Sequence, residues 1–302
     1  MRIHFVLLAA AGIVACQPAN DSEPAAKQEL AVVETTKDVT SSGDSLAATL
    51  AAQPDAVKAR YAYRYPQETL AFFEVKPGMT VVEALPGSGW YTKILIPYLG
   101  KEGQLIGADY AVEMFPLFGF FDEEFVENKK TWVSDWTAEA STWRGDNGPP
   151  VSAFVFGSMP DDLAGTADRV LFIRALHNLA RFEDHSGFLT AALQNAWQVL
   201  KPGGIVGVVQ HHARDDKSDE FARGDHGYLK KSFVIDRMEA AGFEYVGEIH
   251  INANPNDQPA DDDVVWRLPP AFQGSNKNPE AMAAMQAIGE SNRMTLKFRK
   301  PE

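Results

Sequence analysis

"VVEALPGSGWYT", residues 81–92, sets an apolar, valine-rich run ending in an acid, Glu83, against two glycines, Gly87 and Gly89. A segment follows in which Trp90, Ile94 and Leu95 recur at helical spacing. Strand, tight turn and helix in that order form the opening unit of an α/β domain. In such folds ligands lie beyond the carboxyl ends of the strands, and a glycine in the first loop lets backbone approach a ligand that a side chain would block. A second run, "GQLIGADY", ends in Asp109, 20 residues after Gly89. That is the distance at which an acid accepts hydrogen bonds from ribose hydroxyls.

Working outward, "VSAFVFGS", "DRVLFIRAL", "IVGVVQ", "EYVGEIHI" and "RMTLKFRK" read as five further strands. Helices are expected between them. "GFLTAALQNAWQVL" is amphipathic, with "KPGG" as its stop, and "SFVIDRMEAAGF" runs from a Ser232 N-cap to Gly242. Residues 111–130 are expected to be helical, and the stretch holding Trp132, Trp136 and Trp143 to be irregular. From Ser45 to residue 75 the pattern gives short helices broken at Pro54 and Pro66. The expected fold is α/β: a Rossmann-like, doubly wound, mostly parallel seven-stranded sheet with flanking helices and an N-terminal helical extension.

The chain has 302 residues, 45% hydrophobic and 23% charged, with a formal net charge of −13. So acidic a chain is a poor match for phosphate backbones, which are bound by Lys and Arg; no nucleic-acid partner is expected. The only cysteine, Cys16, rules out an intramolecular disulfide. It closes a start, "MRIHFVLLAAAGIVACQPAN", in which Arg2 precedes an apolar stretch from Ile3 to Val14. This is the layout of a secretory signal and is shorter than the roughly 20 apolar residues a bilayer span needs. Residues 1–15 are therefore read as a signal peptide and 16–44, rich in Ala, Ser, Thr, Pro and acids, as a flexible tether. Residues 45–302 form the folded domain. "IVAC" resembles a bacterial lipobox, which implies lipidation of Cys16. Gln17 after it implies, by likeness to Gram-negative lipoproteins, the outer membrane facing the periplasm. Contact with the membrane is expected only through that anchor.

Several cofactor patterns fail. The dinucleotide fingerprint G-x-G-x-x-G needs glycine at 92, where Thr92 stands. The phosphate-loop pattern and G-x-S-x-G are absent. The remaining pattern resembles the first motif of class I S-adenosylmethionine-dependent methyltransferases, approximately [DE]-x-G-x-G-x-G, here Glu83 through Pro86, Gly87, Ser88 and Gly89, with Leu85 in place of the first glycine. The resemblance extends from about residue 66 to 250. "GADY" matches the second motif and implies Asp109 at the ribose with Tyr110 beside it. Ser158 and Met159 stand where the family has an acid near adenine. "VLKPGGIVGVV" matches its turn into strand five. The chain looks most like methyltransferases of bacterial envelopes. The resemblance implies S-adenosyl-L-methionine as cofactor and a small-molecule or envelope substrate.

His177 and Asn178 follow the fourth strand, and His211 and His212 the fifth. Methyl transfer is in-line and depends on positioning; oxygen or nitrogen nucleophiles lose a proton, for which histidine is suited. His177, Asn178 and His211 are the candidates for substrate contact and base, although "HN" also suits a loop cap. "RALHNL" replaces the (D/N)-P-P-(Y/F) of amino-directed relatives. His211, His212, His226, Asp215 and Asp216 match no standard metal spacing, and Asp261–Asp263 reads as a surface acid run. S-adenosylmethionine is made in the cytoplasm, so an exported enzyme needs a supply outside it. Two alternatives follow: a non-catalytic member of the fold that binds a small ligand or protein, and a nicotinamide oxidoreductase.

Overall fold

The computed structural model describes residues 45–146 and 148–302; the expected signal, Cys16 and tether lie outside them. Seven strands form one sheet: β1 (Thr80–Ala84), β2 (Gln104–Asp109), β3 (Val151–Val155), β4 (Ala167–Ile173), β5 (Leu200–His211), β6 (Glu244–Ile249) and β7 (Arg293–Arg299). Their spatial order is β3-β2-β1-β4-β5-β7-β6. The first five pair in parallel. β7 runs antiparallel between β5 and β6. The chain winds outward from β1 to β3, then returns to lay β4 on β1's other side. The order therefore reverses between β1 and β4, where ligands bind in doubly wound sheets.

The sequence pattern explains why both faces are covered. Side chains alternate along a strand, and the neighbours Val81 and Val82 divide between two cores, as do Leu105 and Ile106, and Leu171 and Phe172. A strand apolar on both sides is the mark of a parallel sheet between helical layers. Each such buried side chain contributes about 1.5–3 kcal/mol. One layer contains α1 (Thr92–Leu99) and α2 (Trp132–Arg144). The other contains α3 (Leu176–Arg181), α4 (Phe188–Val199) and α5 (Lys231–Ala240). The N-terminal extension is helical at 45–51, Asp55–Lys58, Tyr61–Arg64 and Pro66–Phe72. Pro66 opens its helix at the first turn, where a missing N–H costs nothing.

Three expectations are corrected. The tryptophan stretch is α2, not irregular: its Ser and Thr hydroxyls bond back to the preceding turn, as from Thr137 to Val133 O at 2.6 Å. Trp136 is buried flat on the sheet over Gly107, where a Cβ would meet the ring at 2.7 Å. Residues 111–130 split into a 3-10 turn (Val112–Phe118) and a helix (Glu123–Lys129), parted at Gly119 with φ +78°. The α5 N-cap is Lys230, and Ser232 lies within the helix.

Candidate functional site

The glycine loop leaves β1 through Leu85, a non-glycine residue at φ +55°. Its N–H donates to Ala108 O at 2.7 Å, and Gly89 N–H donates to Pro86 O at 2.9 Å, closing the turn. Gly87 and Ser88 are exposed. A Cβ at Gly87 would meet only the Leu85 carbonyl, at 3.9 Å, so backbone is accessible there. Gly89 is different. A Cβ there would lie 2.5 Å from Trp143. Its glycine serves the packing of α2, not an opening for a ligand.

Glu83 is buried, and Thr92 Oγ1 donates to its Oε2 at 2.7 Å. Burial pushes this carboxyl up to about 7, against the hydrogen bonds from Thr92. Glu83 thus ties β1 to α1, and Thr92 fills the place a third fingerprint glycine would take. Asp109 is also buried. It accepts from Tyr110 N–H at 2.8 Å and from Lys129 Nζ at 2.7 Å. Each carboxylate oxygen has two acceptor positions, so one on each is unused by these bonds; Asp109, like Gly87 and Ser88, lines neither of the two cavities nearby.

Two cavities open at the carboxyl ends of the strands. One, about 250 Å³, is lined by Leu85 after β1, by Arg174, His177 and Asn178 after β4, and by His211 at the end of β5. The other, about 470 Å³, lies past β2 and is walled by Tyr110, Phe115, Phe118, Phe121 and Trp266. Asn178 and Trp266 line both cavities. Asn178 Oδ1 is buried without a hydrogen-bond partner, while the rest of its side-chain amide lies against the Tyr110 hydroxyl. Ser158 and Met159, expected near adenine, line neither cavity: Ser158 is exposed, and Met159 packs against the core.

The two histidines meet, ring centroids 5.3 Å apart. Gln210 Nε2 donates to Gly227 O at 3.0 Å and His211 O at 3.3 Å. Its Oε1, 3.4 Å from His177 Nδ1, is therefore an acceptor. That fixes the proton of His177 on Nδ1 and leaves the lone pair on Nε2. Burial pushes His177 down to about 4, with Arg174 and Arg181 acting the same way. His211 sits well below its ordinary value through burial and the charges around it, and its Nδ1 is 2.6 Å from Ser291 Oγ. Both rings are neutral at neutral pH. Histidine's ordinary pKa near neutrality, which singled out these two residues in the sequence, does not survive burial; what remains is hydrogen bonding.

Sequence reasoning missed the cover of the site, the apolar, proline-containing stretch 264–271 that follows the acidic run ending at Asp263. Buried Arg267 pins it. Arg267 Nη2 donates to Asp257 at 2.7 Å and Nη1 to Tyr228 Oη at 2.9 Å, while Tyr228 donates to Asp257 at 2.9 Å. It also missed Arg174, hidden inside the apolar run "VLFIRAL", and Ser291.

No protein-family profile and no curated protein matches the chain. Solved structures do resemble it, distantly. A SAM-dependent methyltransferase from Aquifex aeolicus is 15% identical, covering 82% of this chain and 98% of that one, with a TM-score of 0.47. The [4+2]-cyclase SpnF is 16% identical over 79% of this chain and 80% of its own, TM-score 0.47. A 1,6-didemethyltoxoflavin-N1-methyltransferase from Burkholderia thailandensis, solved with S-adenosylhomocysteine, is 14% identical over 93% of each chain, TM-score 0.43.

Proposed function

We propose that this protein is an S-adenosylmethionine-dependent methyltransferase acting on a small molecule. The observation that carries the reading is the pair of adjoining cavities at the reversal of strand order, with a buried acid at the end of β2 and neutral histidines after β4 and β5. The residues fit the cofactor. The accessible backbone at Gly87 and Ser88, the free acceptor positions of Asp109, the aromatic walls around Tyr110 and the orphaned Asn178 Oδ1 suit an adenosyl amino acid. When bound, S-adenosylmethionine supplies a methyl group on a sulfonium. His177 Nε2 accepts the hydrogen bond of the acceptor's O–H or N–H and orients its lone pair. An imidazole so weakly basic is a poor proton acceptor, so its role is to position the nucleophile. Leu85, Trp266 and the 264–271 stretch form one wall of the smaller cavity.

The antiparallel β7 between β5 and β6 departs from the six-stranded order of dinucleotide-binding sheets, which weighs against a nicotinamide enzyme. One observation favours a non-catalytic ligand-binding role: Leu85 and Trp143 narrow the first loop. Calorimetry of the full chain with S-adenosylmethionine, S-adenosylhomocysteine and NAD separates the three. Binding of the first two at about micromolar Kd is expected. NAD binding alone, or silence from all three, would reject methyl transfer. The sequence also supports an exported lipoprotein anchored at Cys16 on the outer membrane. Mass spectrometry of the mature protein tests this, and an unmodified Cys16 ends it.

A further inference from the structure

Four guanidinium groups gather beside the smaller cavity around a single carboxylate. Glu290, buried, accepts from Arg60 Nε at 2.7 Å and Arg293 Nη1 at 3.1 Å, and lies 3.7 Å from Arg64 Nε. Arg174 lines the cavity together with Glu290 and Ser291, and its guanidinium makes no hydrogen bond among the described residues. Arg64 Nε and Nη1 and Arg293 Nε are buried without hydrogen-bond partners. Four cations less one anion leave a local excess of three positive charges, in a chain whose net charge is −13. The neighbours feel it. Burial first, then the charges of the other arginines, pushes Arg64 down to about 9 and Arg174 to about 10.

Buried charge without a counter-ion is costly, and proteins keep it where a ligand completes the set. The backbone adds an independent sign. Leu85 and Arg174 stand at the ends of the paired strands β1 and β4, both face this cavity, and both have left-handed φ, +55° and +59°. Such strain in non-glycine residues gathers at ligand sites. Of the remaining walls, His177, Asn178 and His211 are polar, while Ile173, Val265 and Leu268 are apolar. The apolar ones suit a carbon chain better than a bare inorganic anion.

We propose that the cavity between β4 and β5 is an anion pocket in which Arg174 clamps the carboxylate of a small ligand. The two-pronged guanidinium matches a carboxylate bidentately. Arg64 and Arg293 supply the field behind it, and Glu290 keeps them in place. This deepens the methyl-transfer reading and rests on it for its biological meaning. The carboxylate has two possible sources: the methyl acceptor, or the amino-acid end of the cofactor.

The test titrates the full chain with 13C-labelled butyrate at constant ionic strength, followed by NMR, with n-butylamine and inorganic phosphate as controls. Butyrate should bind saturably, butylamine not at all, and phosphate more weakly than butyrate. Arg174→Gln should weaken butyrate at least about tenfold, or about 1.4 kcal/mol. Arg174→Lys keeps the charge but loses the fork, and should fall between the two. Should Arg174→Gln fail to fold, the lysine variant alone decides. Equal butyrate affinity in the wild type and the folded variants, no binding to the wild type, or phosphate binding better than butyrate overturns the proposal.

S-adenosylhomocysteine and 5′-methylthioadenosine distinguish the sources. If the cofactor's carboxylate sits here, Arg174→Gln weakens the first and spares the second, and butyrate competes with S-adenosylhomocysteine. If the acceptor's carboxylate sits here, neither nucleoside is affected and butyrate binds alongside them. Arg174-dependent butyrate binding with silence from both nucleosides keeps the pocket and removes the methyltransferase reading. The reverse result keeps the enzyme and removes the pocket.

Discussion

Glu83→Gln tests whether the motif's acid holds the fold or the ligand. The carboxyl is buried, and burial raises it from 4.5 to about 7. An acid whose folded value exceeds its unfolded one binds its proton more tightly when folded. Its contribution is therefore complete below pH 4.5 and is lost as pH rises toward 7. A difference of about 2.5, at 1.36 kcal/mol each, gives roughly 3 kcal/mol as the upper size of the loss. For a domain of this size that is a fall in Tm of about 6–10 °C between pH 5 and pH 8. Glutamine can still accept the Thr92 hydroxyl but cannot ionise, so the variant should lack this fall. His177 and His211 work in the other direction: kept neutral when folded, they cost stability as pH drops below 6.5. They are common to both proteins and cancel in the comparison. Calorimetric melts of wild type and Glu83→Gln from pH 5 to pH 8 are the assay. Parallel curves would refute the reasoning, as would a variant that folds normally yet no longer binds S-adenosylhomocysteine.

Further outcomes are expected elsewhere. His177→Ala should lower turnover by about 100-fold or more while leaving S-adenosylhomocysteine affinity unchanged in calorimetry. Lys129→Met removes the cation that engages Asp109 Oδ2 and opens that oxygen to ribose; S-adenosylhomocysteine should bind at least as tightly as in wild type, and a loss would make Lys129 part of the cofactor site. Gly224 has φ +114°, and a Cβ there would stand 2.1 Å from His177 O. Gly224→Ala should therefore cost more than about 2 kcal/mol in a denaturant titration and disturb the site with it.

The five parallel strands were legible because each holds a short, mainly apolar run, although β5 begins earlier than its apolar run and takes in the KPGG segment read as a helix stop. The carboxyl-end residues His177, Asn178 and His211 followed from where those runs end. The tryptophan helix was missed although Trp132, Trp136, Ala140 and Trp143 fall at helical spacing and pack on one core, because the Ser, Thr and acidic residues between them hide that stripe. Gly87 and Gly89 look alike in sequence and differ in space, because what presses on the second is Trp143, more than fifty residues along. Arg174 read as one polar residue in a strand. Its meaning comes from Arg64, Arg293 and Glu290, which the chain supplies from widely separated stretches and the fold brings to one place.

The insertion of β7 makes the last strand an interior one. β6 pairs with β7, and β5 finds its second neighbour there. A growing chain that has reached residue 292 still shows the open backbone edge of β5, the kind that recruits other chains. The arginine that begins β7 belongs to the cation cluster, and Glu290 and Ser291 stand just before it. Residues 290–299 thus complete the sheet and bring Glu290, Ser291 and Arg293 to the cation cluster together, so removing them would bare the β5 edge and take that cluster apart.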